Sequence, residues 1–252
     1  MKRNVKEIKE IYDTLADEYD KIHFHPNSAA EYVERRRLNL IYPYLQKSKG
    51  LRILDVACGT GTYLAIGKRM GAEVFGCDIS RNMTQICKDK GINNIFVADY
   101  HFLPFKDNTF DLVLCINAIH YTNNVEKVIS EMKRVLSDNG IILLTYFNIL
   151  NFRSINYVRR IYKKNSQISY QHRYFPFQIT KILKKVKLTP TGHCGINLLP
   201  FTVNSKSRNK KILDICYEIE GHTNKTPLMH FFNEVFVVLK KNFKQINGEI
   251  RW

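Results

Sequence analysis

Asp55, Gly59, Gly61 and Asp78 are the residues whose types and spacing speak most directly of chemistry. The first three lie in Ile53-Leu54-Asp55-Val56-Ala57-Cys58-Gly59-Thr60-Gly61-Thr62-Tyr63-Leu64. Ile53 to Val56 reads as a buried strand that enters a tight turn and then opens a helix. Glycines at 59 and 61 permit backbone geometry that a Cβ would obstruct. A ligand can then approach the main chain at the strand's carboxyl end, where open α/β sheets bind ligands. A dinucleotide site would continue Gly-x-Gly-x-x-Gly, but Leu64 stands at the third glycine's place. No Gly-Lys-Ser/Thr follows, so this is not a phosphate loop. One strand later, Ala72-Glu73-Val74-Phe75-Gly76-Cys77-Asp78-Ile79-Ser80 ends in Asp78. A carboxylate at that tip can accept hydrogen bonds from both hydroxyls of a ribose.

Further motifs follow in order. Asn94-Ile95-Phe96-Val97-Ala98-Asp99-Tyr100 reads as a third strand ending in Asp99, and Asp111 begins an apolar run through Leu112 to Ile116 that leads to Asn117. Glu131 to Gly140 reads as a helix and turn before the strand from Ile141. Together these resemble the class I S-adenosylmethionine-dependent methyltransferases of the type 11 subgroup, whose first motif is apolar-Leu-Asp-x-x-x-Gly-x-Gly. The string ADYHFLPFKDNTFDLVLCINAIHY is similar to that subgroup's third and fourth motifs. The resemblance covers about residues 50 to 147, and Ile11-Tyr12-Asp13 through Ala16 to Tyr19-Asp20 resembles the family's N-terminal lid.

The resemblance implies S-adenosylmethionine as cofactor. Gly59, Gly61 and the backbone around Cys58 would then meet the methionine moiety, with Asp55 at its amino group or capping the turn. Asp78 would take the ribose hydroxyls, Ile79 and Met83 would flank the adenine, and Asp99 and Tyr100 would face its amino edge. Asn117 would touch the methionine end through its main-chain carbonyl, and Tyr12 and Tyr19 would fold over the cofactor or simply pack their helix. Methyl transfer from a sulfonium is a one-step in-line displacement. The protein mainly supplies alignment, worth ~7–11 kcal/mol in the best oriented systems, and for some acceptors a base. His120, His172 and His193 are the candidate bases, each with ordinary packing as its alternative. The Pro-Pro-Tyr/Phe pocket of enzymes that methylate exocyclic amines of bases is missing, since Ala118-Ile119-His120 follows Asn117.

These residues need a frame to hold them. Apolar spacing predicts helices over Lys6–Tyr19 and from Ser28, as cap, to Leu45. Strands are expected near 52–56, 73–77, 94–98, 111–116 and 141–147, with helices at about 61–70, 80–90 and 124–136 between them. Such alternation implies right-handed crossovers and a parallel sheet. The expected fold is a Rossmann-like, seven-stranded, mostly parallel α/β sheet with an antiparallel edge strand and helices on both faces. Residues 1–48 form the lid, 49–148 the cofactor core, and 149–252 an acceptor-forming part of the same domain. Within that part, a basic amphipathic helix is read at 155–164, a helix over Thr180–Lys187, an edge strand over Leu188–Ile196 and a late strand over Glu234–Lys240. The insertion at about 198–230 would shape the acceptor pocket.

Composition bounds the rest. Hydrophobic content of 44% and charged content of 25% are ordinary globular values. No apolar run nears the ~20 residues that span a bilayer, and Met1 to Glu7 lacks a signal-peptide core. The 6 cysteines show no Cys-x-x-Cys spacing, which suits a reduced, cytoplasmic protein without structural zinc or another bound metal. The net charge of +16 is unevenly placed: residues 1–150 hold 20 basic and 18 acidic side chains, residues 151–252 hold 19 and 5. That asymmetry suits an anionic partner, whether RNA, a phosphorylated or nucleotide-linked substrate, or an acidic membrane surface; drift toward Lys and Asn is the plain alternative. The first functional reading is methyl transfer, at oxygen, to a small molecule such as a metabolite, a sugar or a lipid- or nucleotide-linked glycan. RNA methylation is the second and a non-catalytic cofactor-binding regulator the third.

Overall fold

The computed structural model describes residues 5–26, 28–151, 171–197, 210–223, 225–226 and 231–241. Seven strands form one sheet: β1 (Arg52–Val56), β2 (Glu73–Asp78), β3 (Ile95–Val97), β4 (Phe110–Cys115), β5 (Leu136–Phe147), β6 (Leu188–Ile196) and β7 (Glu234–Lys241). Their order is β3-β2-β1-β4-β5-β7-β6. The first five run parallel, while β7 is antiparallel to both of its neighbours. The antiparallel element expected at that edge is therefore β7, one place in, with β6 outermost. The chain winds outward from β1 to β3 and returns to place β4 against β1. A crevice opens at that reversal, beyond the strands' carboxyl ends.

Central strands buried on both faces carry near-continuous apolar runs, and alternation sends their side chains to two cores. Leu54, Val56, Val113 and Cys115 meet Val128, Ile129 and Met132 of α5 (Val125–Val135) and Ile179 and Leu183 of α6 (Pro176–Val186). On the other face, Ile53, Leu112 and Leu114 meet Val33 and Ile41 of α2 (Ala29–Gln46), Leu64 of α3 (Thr62–Arg69), Cys87 of α4 (Arg81–Asp89) and Leu213 of α7 (Lys210–Thr223). Ser28 caps α2 as expected, its hydroxyl accepting from Glu31 N at 3.0 Å. No helix among the described residues is long and apolar enough to cross a membrane.

Three local readings change. The turn expected at Ser137–Gly140 is a distortion inside β5: Phe110 pairs with Leu136 but Leu112 with Ile141, so residues 137–140 leave the ladder. Helix α6 starts at Pro176 rather than Thr180, because proline's fixed φ and missing N–H suit a first turn. The 198–230 insertion contributes α7, which packs on α2 instead of the crevice. Its Glu220, fully buried, accepts from Tyr32 Oη (2.6 Å) and Arg36 Nε (2.8 Å). The helix read at 155–164 lies outside the described residues.

α1 (Val5–His23) lies across the crevice and is fastened at two carboxylates. Asp13 Oδ1 accepts from Ser80 Oγ (2.5 Å) and Asn82 N (3.2 Å) at the start of α4. Asp20 accepts from Thr60 Oγ1 and Lys90 Nζ, both at 2.6 Å. These ties fix the lid to the turn after β1 and to both ends of α4.

Candidate active site

The turn after β1 takes left-handed backbone three times, at Ala57 (φ 59°), Gly59 (φ 53°) and Gly61 (φ 77°). The two glycines serve different neighbours. A Cβ at Gly59 would meet nothing nearer than Tyr19 Cε1 at 4.0 Å, so its open side faces the crevice. A Cβ at Gly61 would lie 2.9 Å from Cys87 Sγ and 3.0 Å from Ile92 Cδ1. Gly61 therefore opens α3 and leaves room for Cys87 of α4 and for Ile92 just beyond it, and it lines neither cavity.

Two cavities occupy the crevice and share Tyr19, Ala57, Gly59, Ile116 and Asn117. The larger, about 1000 Å³ including space open to solvent, is bounded by α1 (Val5, Ile8, Tyr12), the tips of β2 and β3, and the loop after β4. Asp78, Ile79, Asp99 and Tyr100 line it together with Tyr19, Gly59 and Asn117. Asp78 is 8% exposed, and its Oδ2 accepts from Gly59 N and its Oδ1 from Ser80 N, each at 2.9 Å. Burial still raises its carboxyl above the usual range, because those backbone bonds offset desolvation only in part. Asp99 Oδ1 lies 2.9 Å from His101 N and 2.6 Å from His101 Nδ1, and His101 Nε2 lies 2.6 Å from Thr122 Oγ1.

The smaller cavity is lined by Asp55, Cys58, Gly59 and Asn117 with Glu34 and Arg37 of α2. Asp55 is 2% exposed, and among the described residues neither its Oδ2 nor Asn117 Oδ1 has a hydrogen-bond partner. Burial, with Asp78 nearby, pushes the Asp55 carboxyl well up. Asn117 is held at φ 56°, and its N–H donates to Thr145 Oγ1 at 2.8 Å. Arg37 donates from Nη2 to Glu234 Oε2 (2.7 Å) and from Nη1 to Glu34 Oε1 (2.5 Å). Burial pushes Glu34 up, but Arg37 and His23 together hold its carboxyl below the usual range. The Glu34-Arg35-Arg36-Arg37 run of α2 gives no sequence sign that two of its charges face a cavity.

Met83 falls outside both linings. With Ser80 as N-cap of α4, the Met83 side chain turns into the core and is fully buried, while Ile79, just before the cap, reaches the cavity. In the lid, the Tyr19 ring stacks on His23 at 4.1 Å and Tyr12 meets Tyr121 edge-on at 5.6 Å. Burial pushes both Tyr12 and Tyr19 above the phenol range, which keeps them neutral.

The three histidines are not brought together. His120 is fully buried, stacked on Phe147 at 4.1 Å, without a hydrogen bond at either ring nitrogen, and it lines neither cavity. Burial holds its pKa well down, with the Arg37 and Arg173 charges adding to the effect. His172 is exposed, its Nε2 2.8 Å from Oδ1 of Asn123 on the larger cavity. His193 stands in β6 opposite Val237, off both linings. Among the described residues, the imidazole that lines the larger cavity belongs to His101, which sequence pattern did not single out.

Residues 54–144 match a family model described as "Methyltransferase domain". The uncharacterized protein MJ1252 of Methanocaldococcus jannaschii is 30% identical over 246 residues, which cover 96% of this chain and 88% of that protein. A demethylmenaquinone methyltransferase of Staphylococcus aureus is 30% identical over 149 residues, 56% of this chain and 61% of its own. In fold, the chain is similar to the magnesium protoporphyrin IX methyltransferase of Synechocystis, solved with bound SAH, at a TM-score of 0.65 and 14% identity over 94% of this chain and 99% of that one. The motif order, the open Gly59 turn and these matches agree: the chain belongs to the class I S-adenosylmethionine-dependent methyltransferases, type 11 subgroup.

Proposed function

We propose that the enzyme methylates an oxygen of a small-molecule acceptor, holding the adenosine half of S-adenosylmethionine in the larger cavity and the methionine half in the smaller. The observation that carries this placement is the pair of buried acceptors without partners, Asp55 Oδ2 and Asn117 Oδ1, on the smaller cavity. Each unpaired buried acceptor costs about 1–3 kcal/mol, and an ammonium group would satisfy both. Charge agrees, since Glu34 offsets Arg37 on that lining and an ammonium group would favour the ionised form of Asp55. The bound cofactor supplies a methyl group on a sulfonium, which is its own leaving group.

The chain's own residues do the positioning. Gly59 lets the ligand lie against the main chain, and Asp78, already oriented by two backbone N–H groups, presents its remaining lone pairs to the ribose hydroxyls. Asp99 and Tyr100 stand at the adenine's amino edge with Ile79 against the ring. Tyr12 and Tyr19 roof the cavity and exclude water. Val5, Ile8 and Tyr121 supply further apolar wall, which suits a small acceptor enclosed by the lid. The RNA reading rests on the basic composition of residues 151–252, of which Arg159 and Lys163 lie outside the described residues.

The test is to incubate the enzyme with methyl-deuterated cofactor and either a metabolite extract or total RNA, followed by mass spectrometry. The expected result is label in a small molecule as a methyl ether. Label in RNA nucleosides instead would overturn the acceptor assignment.

A further inference from the structure

Asp99, His101 and Thr122 form a hydrogen-bonded group on the wall of the larger cavity. The group joins the segment after β3 to the loop after β4. Asp99 is a carboxylate acceptor, so the Nδ1 that lies 2.6 Å away carries the imidazole proton and donates to Oδ1. The other ring nitrogen, Nε2, lies 2.6 Å from Thr122 Oγ1. Thr122 Oγ1 in turn accepts from Asn124 N at 2.8 Å. The His101 backbone N–H adds a second bond to Asp99 Oδ1 at 2.9 Å. One carboxylate oxygen thus meets two nitrogens of a single residue, on a side chain that lines the cavity.

We infer that His101 is a positioning residue that locks the Asp99 carboxylate and so makes the cofactor pocket selective for a 6-amino over a 6-oxo purine. The inference rests on the proposed placement of adenine in the larger cavity. A 6-amino group offers N–H to the fixed oxygen. A 6-oxo group sets a carbonyl oxygen against it and moves the ring's N–H to the neighbouring atom. A carboxylate free to turn could follow that N–H; one held by His101 cannot. Selectivity comes from the restraint on the carboxylate as much as from its charge.

The experiment is calorimetric titration with S-adenosylhomocysteine and its 6-oxo analogue, S-inosylhomocysteine. The proteins are the wild type, His101→Phe, His101→Asn and Thr122→Val, each first checked for folding by circular dichroism. Phenylalanine keeps the ring's bulk and removes both side-chain bonds; asparagine can restore the donor to Asp99 alone. The wild type should prefer the 6-amino ligand. His101→Phe should cut that preference by roughly tenfold, the worth of one hydrogen bond to a charged group at the lower end of its range. His101→Asn should recover most of it, and Thr122→Val should fall between. If His101→Phe keeps the full preference, whatever its affinity, His101 only packs the wall and the inference is overturned. Should His101→Phe fail to fold, Thr122→Val decides: a reduced 6-amino preference supports the role of the clamped ring, and an undiminished one overturns it. A wild type without preference between the two ligands would overturn the adenine placement itself.

Discussion

In the larger cavity the acidic groups are engaged before any ligand arrives: Asp78 accepts from Gly59 N and Ser80 N, and Asp99 from His101. In the smaller cavity Glu34 and Arg37 are paired, but Asp55 Oδ2 and Asn117 Oδ1 are buried and, among the described residues, unpaired. One end is pre-organised, so it directs a ligand at little reorganisation cost. The other is a destabilised set of acceptors that a donor relieves, so ligand binding there is also a stability event. Gly59 belongs to both linings.

The largest way to break this comparison is at the shared turn. Gly61→Val places a branched side chain in left-handed backbone and against Cys87 and Ile92. The strain (~1–2 kcal/mol) and the overpacking (~1–3 kcal/mol) together should lower folding stability by roughly 3 kcal/mol. Gly59→Ala carries only the backbone share, and its loss should fall on ligand affinity instead. Thermal unfolding set beside calorimetry separates the two; equal loss of stability in both would contradict the division of roles.

Titration gives the next effect. Asp55's folded pKa is raised, so its contribution to stability is full below the unfolded value near 3.8 and is lost as pH rises through the folded value. A ligand ammonium beside it favours the carboxylate. Within that window, binding should therefore release a proton, and affinity should climb with pH by at most about tenfold per unit for one proton. Asp55→Asn should remove this share, leaving that of Asp78, whose pKa is raised as well. Calorimetry in buffers of different ionisation enthalpy counts the protons, and an unchanged count in Asp55→Asn would clear Asp55 of the role.

The smallest effect belongs to the lid. Asp20 is part-exposed, so Asp20→Asn should cost only about 0.2–1 kcal/mol in stability. It should speed cofactor release measurably in stopped-flow, since it weakens the ties to Thr60 and Lys90.

What the sequence made legible was local. A strand, a glycine turn and a carboxylate at the next strand's tip can be read from neighbours a few residues apart, and Asp78, Gly59 and Asp99 all reach the crevice. What it hid depends on partners far along the chain or on helix phase. Arg36 and Arg37 read as surface charge until Glu220 and Glu234 meet them, 184 and 197 residues on. The direction of Met83 follows from where Ser80 caps α4, and the crowding at Gly61 from Cys87 and Ile92, in and just beyond α4. His101 carried no signal, because its bonds to Asp99 and Thr122 exist only once two loops are side by side.

The comparison of the two ends is tested most directly by binding S-adenosylhomocysteine and free adenosine to Asp78→Ala and Asp55→Ala. Asp78→Ala should weaken both ligands by a similar ~1.5–3 kcal/mol, the worth of hydrogen bonds to a charged group. Asp55→Ala should weaken S-adenosylhomocysteine and leave adenosine unchanged, because adenosine has nothing to place in the smaller cavity. Loss of adenosine binding in Asp55→Ala, or unaltered S-adenosylhomocysteine binding in either variant, would contradict the account.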